Sequence, residues 1–349
     1  MAHVNRVLVV NAGSTSLKLS ILSDGDVVAA SSHISDWDGA DVRSVAAFVA
    51  DAAVAVDAVG HRVVHGGLSL RTATRLDPDV VERIRSLVPL APLHQERALA
   101  GIAAASAALP DVPQVACFDT AYHATLPEAA ATYALPLDWR KRWPLRRFGF
   151  HGLSHSYAAS RAASLVDPPP GDAPLRVVTC HLGAGASLCA SLDGRSVDTT
   201  MGFTPLEGLV MASRSGSVDP GLVVWLITSA GLSADEVRDG LEHDSGMAGL
   251  AGTPDMRQVI ERASAGDAAA RMAFDVYIHV LCREVAAMTA SLGGLDALVF
   301  TGGVGENAPT VREAVVDRLS YLGPVPILVI EAREDLEIAH QTRAVLAGP

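Results

Sequence analysis

The chain has 349 residues, too many for one ordinary compact domain and comfortable for two. It is 49% apolar but only 5% aromatic, so its cores must be built mainly from Ala, Val and Leu. A formal charge of -12, spread along the chain, argues against a nucleic-acid binder and against a polybasic membrane-surface protein. An anionic substrate would need a few local Arg and Lys working against that field. Cys117, Cys180, Cys189 and Cys282 show no C-x-x-C spacing and sit mostly in apolar runs, as free thiols do in a reducing compartment. The N-terminal MAHVNRVLVVNAG lacks a signal-peptide h-region. The longest apolar run, DVYIHVLCREVAAMTASL, carries Arg283 and Glu284 in its middle and reads as a core helix. A soluble, cytoplasmic protein is expected.

The first element, VLVVNAGSTSLKLSIL, is an apolar strand that delivers Asn11, then a small polar loop, then an alternating segment. Leu17, Leu19 and Ile21 fall on one face of that segment, with Ser16, Lys18 and Ser20 on the other, which predicts a half-buried strand. Asp24-Gly25 turns the chain into Val27 to Ala30, so it opens as a meander of strands. The loop joins strand to strand and lacks G-x-x-x-x-G-K-[ST], so a Walker A motif is rejected. Val45 to Val56 has helical spacing, GHRVVHGG is a strand with Arg62 inside it, and Gln95 to Leu109 reads as a helix. VPQVACFD is a strand ending on Asp119, which either caps a helix or aims a carboxylate into a cleft. In GFHGLSH, His151 and His155 are four apart and on a helix would share a face. The glutamate of H-E-x-x-H is missing and glycine follows His151, so hydrogen bonding is favoured over zinc ligation.

After the loop Pro168 to Gly171, VVTCHLGAGASLCASLDGRSVDTT repeats the opening design. A strand delivers His181, a loop follows at Gly183 and Gly185, and a second strand ends at Asp193-Gly194, so that Gly13 corresponds to Gly183. A unit recurring once, half a chain later, points to two similar domains rather than a solenoid. Arg214 in MASRSGSVDPG, like Arg62, sits where a guanidinium calls for an anionic partner. Asp255 and Arg257 in GTPDMRQ fit either a helix start or a ligand contact. DALVFTGGVGEN is a strand followed by a glycine-rich turn and then a helix, a geometry for close approach to a phosphate or nucleotide. Any one of these glycine loops is explained by a turn. Three at strand ends, two of them copies, suit the anion nests of a nucleoside triphosphate site. The class is α/β with two domains.

In chain order, VNAGSTSLK, GHRVVHGG, LAPLH, FDTAYH, RRFGFHGLSH, CHLGAGAS, VDTTMGFTPLEGLVM, SRSG with VDPG, DMR, FTGGVGEN and a terminal EDLEIA resemble the acetate kinase family of acyl-phosphate-forming kinases. The resemblance runs from Asn11 to Ala339. It implies the α/β fold of the sugar kinase, actin and heat-shock-chaperone ATPase superfamily: two related, ribonuclease H-like domains closing over a cleft. Residues 1–121 with 336–349 would form the first domain, and 122–335 the second, with a homodimer interface. The implied reaction is reversible, direct in-line transfer of the ATP γ-phosphoryl group to acetate, giving acetyl phosphate and ADP, with Mg²⁺ (or Mn²⁺) bound.

By the same resemblance, Arg62 and Arg214 hold the carboxylate and the transferring group, His151 donates to that group, and Asp119 positions and organises the metal. Val64, Leu93, Phe150 and Pro205, together with Arg62, form the acyl site. Asn11 and Glu334 match the magnesium positions. Ser14, Ser16 and Lys18 match the first phosphate loop, and His181, Leu182, Gly183, Ala184 and Gly185 the second. Asp255, Met256 and Arg257, with Gly303, Val304, Gly305, Glu306 and Asn307, match the adenosine site. The chain departs from the pattern at Ala184, where the family usually has Asn, at Gln95-Glu96 in place of Asn-Pro, and in a trimmed region after Gly67. These departures keep a pyrophosphate-dependent enzyme as an alternative, and the weak discrimination of one methylene in a small apolar pocket keeps a propionate kinase as another. A chaperone-like conformational ATPase is the alternative of another class, and it leaves Arg62 and Arg214 without a clear purpose.

Overall fold

The computed structural model describes residues 4–13, 16–41 and 43–348, without the side chain of Leu93. Eleven strands occur among them: β1 (Val7–Ala12), β2 (Ser16–Leu22), β3 (Val28–Ser35), β4 (Ala58–Val63), β5 (Thr74–Arg75), β6 (Gln114–Phe118), β7 (Arg176–Leu182), β8 (Ala186–Leu192), β9 (Arg195–Thr199), β10 (Ala297–Thr301) and β11 (Ile327–Val329). The chain divides into two compact units. The first comprises residues up to Ala124, Phe150–Tyr157 and Arg333 onward, and the second comprises Thr125–Gly149 and Ala158–Ala332.

The first unit holds a sheet in the order β3-β2-β1-β4-β6-β5. β1 is apolar at nearly every position because both its faces are covered. Leu8, Val10 and Ala12 pack with Ala104 and Ala105 of the helix Pro92–Ala108. Val7 and Val9 point the other way, onto Leu336, Ile338 and Ala339 of the helix Glu334–Ala347. That last helix closes so tightly on β4 that a Cβ at Gly60 would lie 2.4 Å from Thr342 Oγ1. In β2 the predicted alternation is present, with Leu17, Leu19 and Ile21 buried and Lys18 exposed.

The second unit holds a sheet in the order β11-β10-β7-β8-β9. Read from the other edge, β9-β8-β7-β10-β11 follows the same path as β3-β2-β1-β4-β6. The antiparallel pairs and the parallel pairs occupy equivalent places in both. The register irregularities, at Ile21/Leu22 in β2 and Ala190/Ser191 in β8, fall one residue from equivalent places. The apolar run taken as a core helix is the helix Ala268–Leu292, capped by Asp267 and ended by Gly293 at φ 67°. No helix among the described residues is long and apolar enough to cross a membrane.

Two local expectations differ from the structure. GGVGEN is a short helix, Gly302–Asn307, rather than an open turn. Glu306 Oε1 accepts from Gly302 N and from Ala332 N, both at 2.9 Å, and so winds these glycines into a helical turn. The segment Phe150–Tyr157, expected in the second domain, packs with the first unit instead. Gly152 N donates to Asp119 O at 2.9 Å, and Leu153 is buried among Val7, Val9 and Cys117. Arg333, Glu334 and Asp335 likewise belong with the first unit.

Candidate active site

In the first unit, β1, β4 and β6 are parallel neighbours, so the residues at their C-terminal ends collect at one edge of the sheet. Asn11, Arg62 and Asp119 meet there. Arg62 donates to both carboxylate oxygens of Asp119, from Nε at 3.2 and 3.1 Å and from Nη2 at 2.7 Å. Its Nη1 donates to Asn11 Oδ1 at 3.3 Å. Asn11 Nδ2 donates to Glu334 Oε2 at 3.1 Å, and that oxygen lies 3.9 Å from Arg62 Nε. Burial by itself would lower the guanidinium, but the Asp119 and Glu334 charges outweigh it and hold Arg62 above its ordinary value. Burial raises the Asp119 carboxyl above the usual carboxylate range, with the Arg62 charge pulling the other way. Asp119 is thus a bracing carboxylate committed to one guanidinium. Two carboxylates around one guanidinium leave one negative charge in surplus, and with the Asn11 amide the donor set is all oxygen. That chemistry fits Mg²⁺ or Mn²⁺, which take few protein ligands and complete their shell with water and phosphate oxygens.

Beside this cluster, Val64 and Phe150 are both buried, and the His65 ring meets the Phe150 ring edge-on at 5.7 Å. Gln95 is fully buried and clasps the backbone of His65: its Oε1 accepts from His65 N at 3.1 Å and its Nε2 donates to His65 O at 3.0 Å. His151 precedes the helix Gly152–Ala163 and sits at φ 56°, a costly conformation for a residue with a side chain. Its carbonyl accepts from His155 N at 2.9 Å. His155 is buried with its ring 5.7 Å from that of His123. The expected shared helical face for His151 and His155 is therefore absent, because the helix begins one residue too late. Gly152 cannot carry a side chain, since a Cβ would lie 2.1 Å from Asp119 O. Lys18 faces Asn11 across the β1–β2 ladder, and Ser16 O accepts from Gly13 N at 2.8 Å. Ser14 and the Leu93 side chain lie outside the described residues.

In the second unit, Gly183, Ala184, Asp255, Met256, Arg257, Gly303, Val304 and Asn307 line one cavity of about 550 Å³. That size suits a nucleoside. His181, Leu182, Gly185, Gly305 and Glu306, expected with them, are not in its wall among the described residues. Leu182 is a buried strand residue and Glu306 is the staple described above. Gly183 N closes its own turn on Gly185 O at 3.0 Å, as Gly13 N does on Ser16, so these two amides belong to the turns rather than to an anion. Ala184 O accepts from Ala212 N at 3.1 Å, which ties the loop down without the usual amide side chain. Sequence reasoning missed Met211, Met247 and Tyr277 in this wall: Met211 ends the motif GFTPLEGLVM, Tyr277 lies in the apolar run read as a core helix, and Met247 comes from a segment with no motif.

Arg214 donates from Nη1 to Pro205 O at 3.0 Å and makes no ion pair among the described residues. Burial pushes its guanidinium below the ordinary value, with the Glu242 charge opposing. Pro205, expected in the acyl site, rides on a loop that is clamped. Glu207 takes Arg147 Nη2 at 2.7 Å on one oxygen and the Tyr133 hydroxyl on the other. Tyr133 in turn accepts from Phe203 N at 2.9 Å, and Arg147 Nη1 donates to Thr200 O and Met201 O.

One strand path used twice, with a nucleoside-sized cavity where a strand enters glycines and a helix, places the molecule in the class of duplicated, sugar-kinase-like phosphotransferases. A ROK family protein from Streptococcus pneumoniae shares that fold alone, at TM-score 0.50 and 11% identity over 97% of each chain. The profile of the Acetokinase family matches residues 42–327. An acetate kinase of Deinococcus radiodurans is 42% identical over 98% of each chain. Among solved structures, Porphyromonas gingivalis acetate kinase is similar at TM-score 0.89 and 32% identity, covering 98% of this chain and 100% of that one. A propionate kinase from Francisella tularensis is similar at TM-score 0.89 and 32% identity, over 97% and 99%. The chain belongs to the acetokinase family.

Proposed function

We propose that this chain catalyses reversible phosphoryl transfer between ATP and acetate. The single observation that supports it best within the site is Arg214, a desolvated guanidinium held by a carbonyl rather than a carboxylate and so suited to an anionic reactant. Acetate is ionised at neutral pH and needs no general base. A carboxylate oxygen attacks the γ-phosphorus, the bond from that phosphorus to the bridging oxygen breaks, and ADP leaves with the electron pair. No proton moves. The task for the protein is to neutralise and align two anions. Arg214 and Arg62 supply positive charge, Asp119 and Asn11 fix Arg62, and His151 donates a hydrogen bond to the transferring group. Asn11 and Glu334 would hold Mg²⁺, which supplies charge neutralisation on the phosphates when bound.

Val64 and Phe150 favour a small apolar acyl group, and one extra methylene changes such a preference by only ~1–3 kcal/mol. Propionate is therefore the second acid to test. Ala184 keeps its loop tied through its carbonyl, which supports retention of ATP as donor. The exposed apolar side chains Leu222, Val224, Trp225 and Ile227 on the helix Pro220–Thr228 support a homodimer formed through that face. Four free, buried cysteines suit the cytoplasm. The test is hydroxamate trapping of acyl phosphate with Mg²⁺, pairing ATP, GTP or pyrophosphate with acetate, propionate or butyrate. Acetate with ATP should give the highest turnover. No acyl phosphate from any pair would end this reading.

A further inference from the structure

A residue with a side chain holds the φ of 56° found at His151 only where its surroundings over-determine it. Its backbone is fixed when the peptide groups on both sides of it are fixed. On the C-terminal side two hydrogen bonds do this: Gly152 N donates to Asp119 O and His155 N donates to His151 O, both at 2.9 Å. On the N-terminal side the peptide is held through Phe150 O, which lies 3.0 Å from His123 Nε2. FDTAYH ends on that histidine, to which phosphoryl transfer itself gives no task. From β6 the chain passes through Asp119 into the short turn Tyr122–Thr125, so one segment supplies an anchor for each side of His151. His123 is buried, and its ring stands edge-on to those of Tyr122 and His155, each 5.7 Å away. A carbonyl only accepts, so the contact with Phe150 O requires a proton on Nε2.

We propose that His123 is a positioning residue for phosphoryl transfer: by donating from Nε2 to Phe150 O it holds the His151 backbone in its left-handed conformation. This deepens, and rests on, the reading of the protein as an acyl-phosphate-forming kinase in which His151 donates to the transferring group. His123 touches no reactant in this role and acts only through His151. Without its donor the Phe150–His151 peptide is free to turn, and the strained backbone relaxes toward an ordinary φ.

His123→Leu removes the donor, and kcat for acyl phosphate formation should fall roughly 10- to 100-fold with the KM for ATP unchanged. His123→Gln keeps an N–H of similar reach and should recover most of that rate. The sharper comparison is a double-mutant cycle. On a His151→Ala background, His123→Leu should cost less than about twofold further, because the residue it positions is gone. An equal loss on both backgrounds would overturn the proposal. So would an unchanged kcat, or a change confined to the KM for acetate, which marks a role in the acyl pocket. Nitrogen-15 NMR of the unaltered protein tests the contact even where His123→Leu does not fold, with His123 assigned by the signal lost in His123→Gln. A proton on Nε2 is expected, and a ring protonated on Nδ1 alone would overturn the proposal. If the unaltered protein forms no acyl phosphate, the kinase reading itself fails, and that failure is visible before any variant is made.

Discussion

Arg62 and Asp119 show how a single residue pair can be legible in type yet not in role. The sequence placed a guanidinium inside an apolar strand and a carboxylate at the end of another, and left open whether Asp119 capped a helix or faced a cleft. Only the sheet order reveals that β4 and β6 are parallel neighbours, so that three hydrogen bonds join the pair. Replacing Arg62 by Met strands a buried carboxylate, and urea unfolding should show a loss of about 3–5 kcal/mol. The companion Asp119→Asn leaves the guanidinium with a second carboxylate, Glu334 Oε2 at 3.9 Å, and should cost less. Histidines add a pH dependence. Burial draws His61 down to about 4, against the Gln114 hydrogen bond, and draws His65 to about 4 as well. Both are therefore neutral in the fold but protonated in the unfolded chain below about 6.5. Their contribution is complete above that value and is lost as pH falls toward 4, by about 3 kcal/mol for each. Urea midpoints measured across this window should fall with pH, and His61→Gln should remove about half of the histidine-linked slope.

At the scale of elements, periodicity carried most of the reading. β2 alternates as expected because only one of its faces is buried, and the helix Ala268–Leu292 survives Arg283 and Glu284 because they pair on its exposed side. What periodicity could not carry is set by distant partners. Gly302–Asn307 is helical through Glu306 and Ala332, and Phe150–Tyr157 joins the first unit through Asp119. The clamp on the Pro205 loop is of the same kind, since Tyr133, Arg147 and Glu207 are far apart in sequence. Its effect on the site runs through Pro205 O to Arg214. Glu207→Gln loses the charge facing Arg147, and displacement of the loop should lower kcat about 10- to 100-fold with little change in the KM for ATP. Gln95 offers a parallel case on the acyl side. Gln95→Leu leaves the His65 backbone groups unpaired at a cost of about 1–3 kcal/mol in urea unfolding. The same change should alter the acetate-to-propionate preference, since Val64 adjoins that backbone. Here the sequence flagged a departure from the family pattern but not its use.

For the whole molecule, the repeat was the most informative feature. Gly13 and Gly183 head equivalent hairpins, and the two sheets that grow from them share strand order and strand sense, with register irregularities one residue apart. An aromatic-poor core of Ala, Val and Leu follows from composition and is what fills both faces of β1. The same close packing should shield the thiols. Burial raises Cys117 and Cys189 to about 12, so iodoacetamide should leave the native protein unlabelled and modify every cysteine once it is unfolded in denaturant.

The central claim, that phosphorus leaves ATP for a carboxylate rather than for water, is open to direct observation. Phosphorus NMR of the protein with ATP, Mg²⁺ and acetate should show an acyl phosphate resonance growing in step with ADP, and Arg214→Ala should reduce both at least 100-fold. ADP appearing with inorganic phosphate alone, at the same rate with and without acetate, would contradict the account and leave a nucleotide-hydrolysing conformational protein in its place.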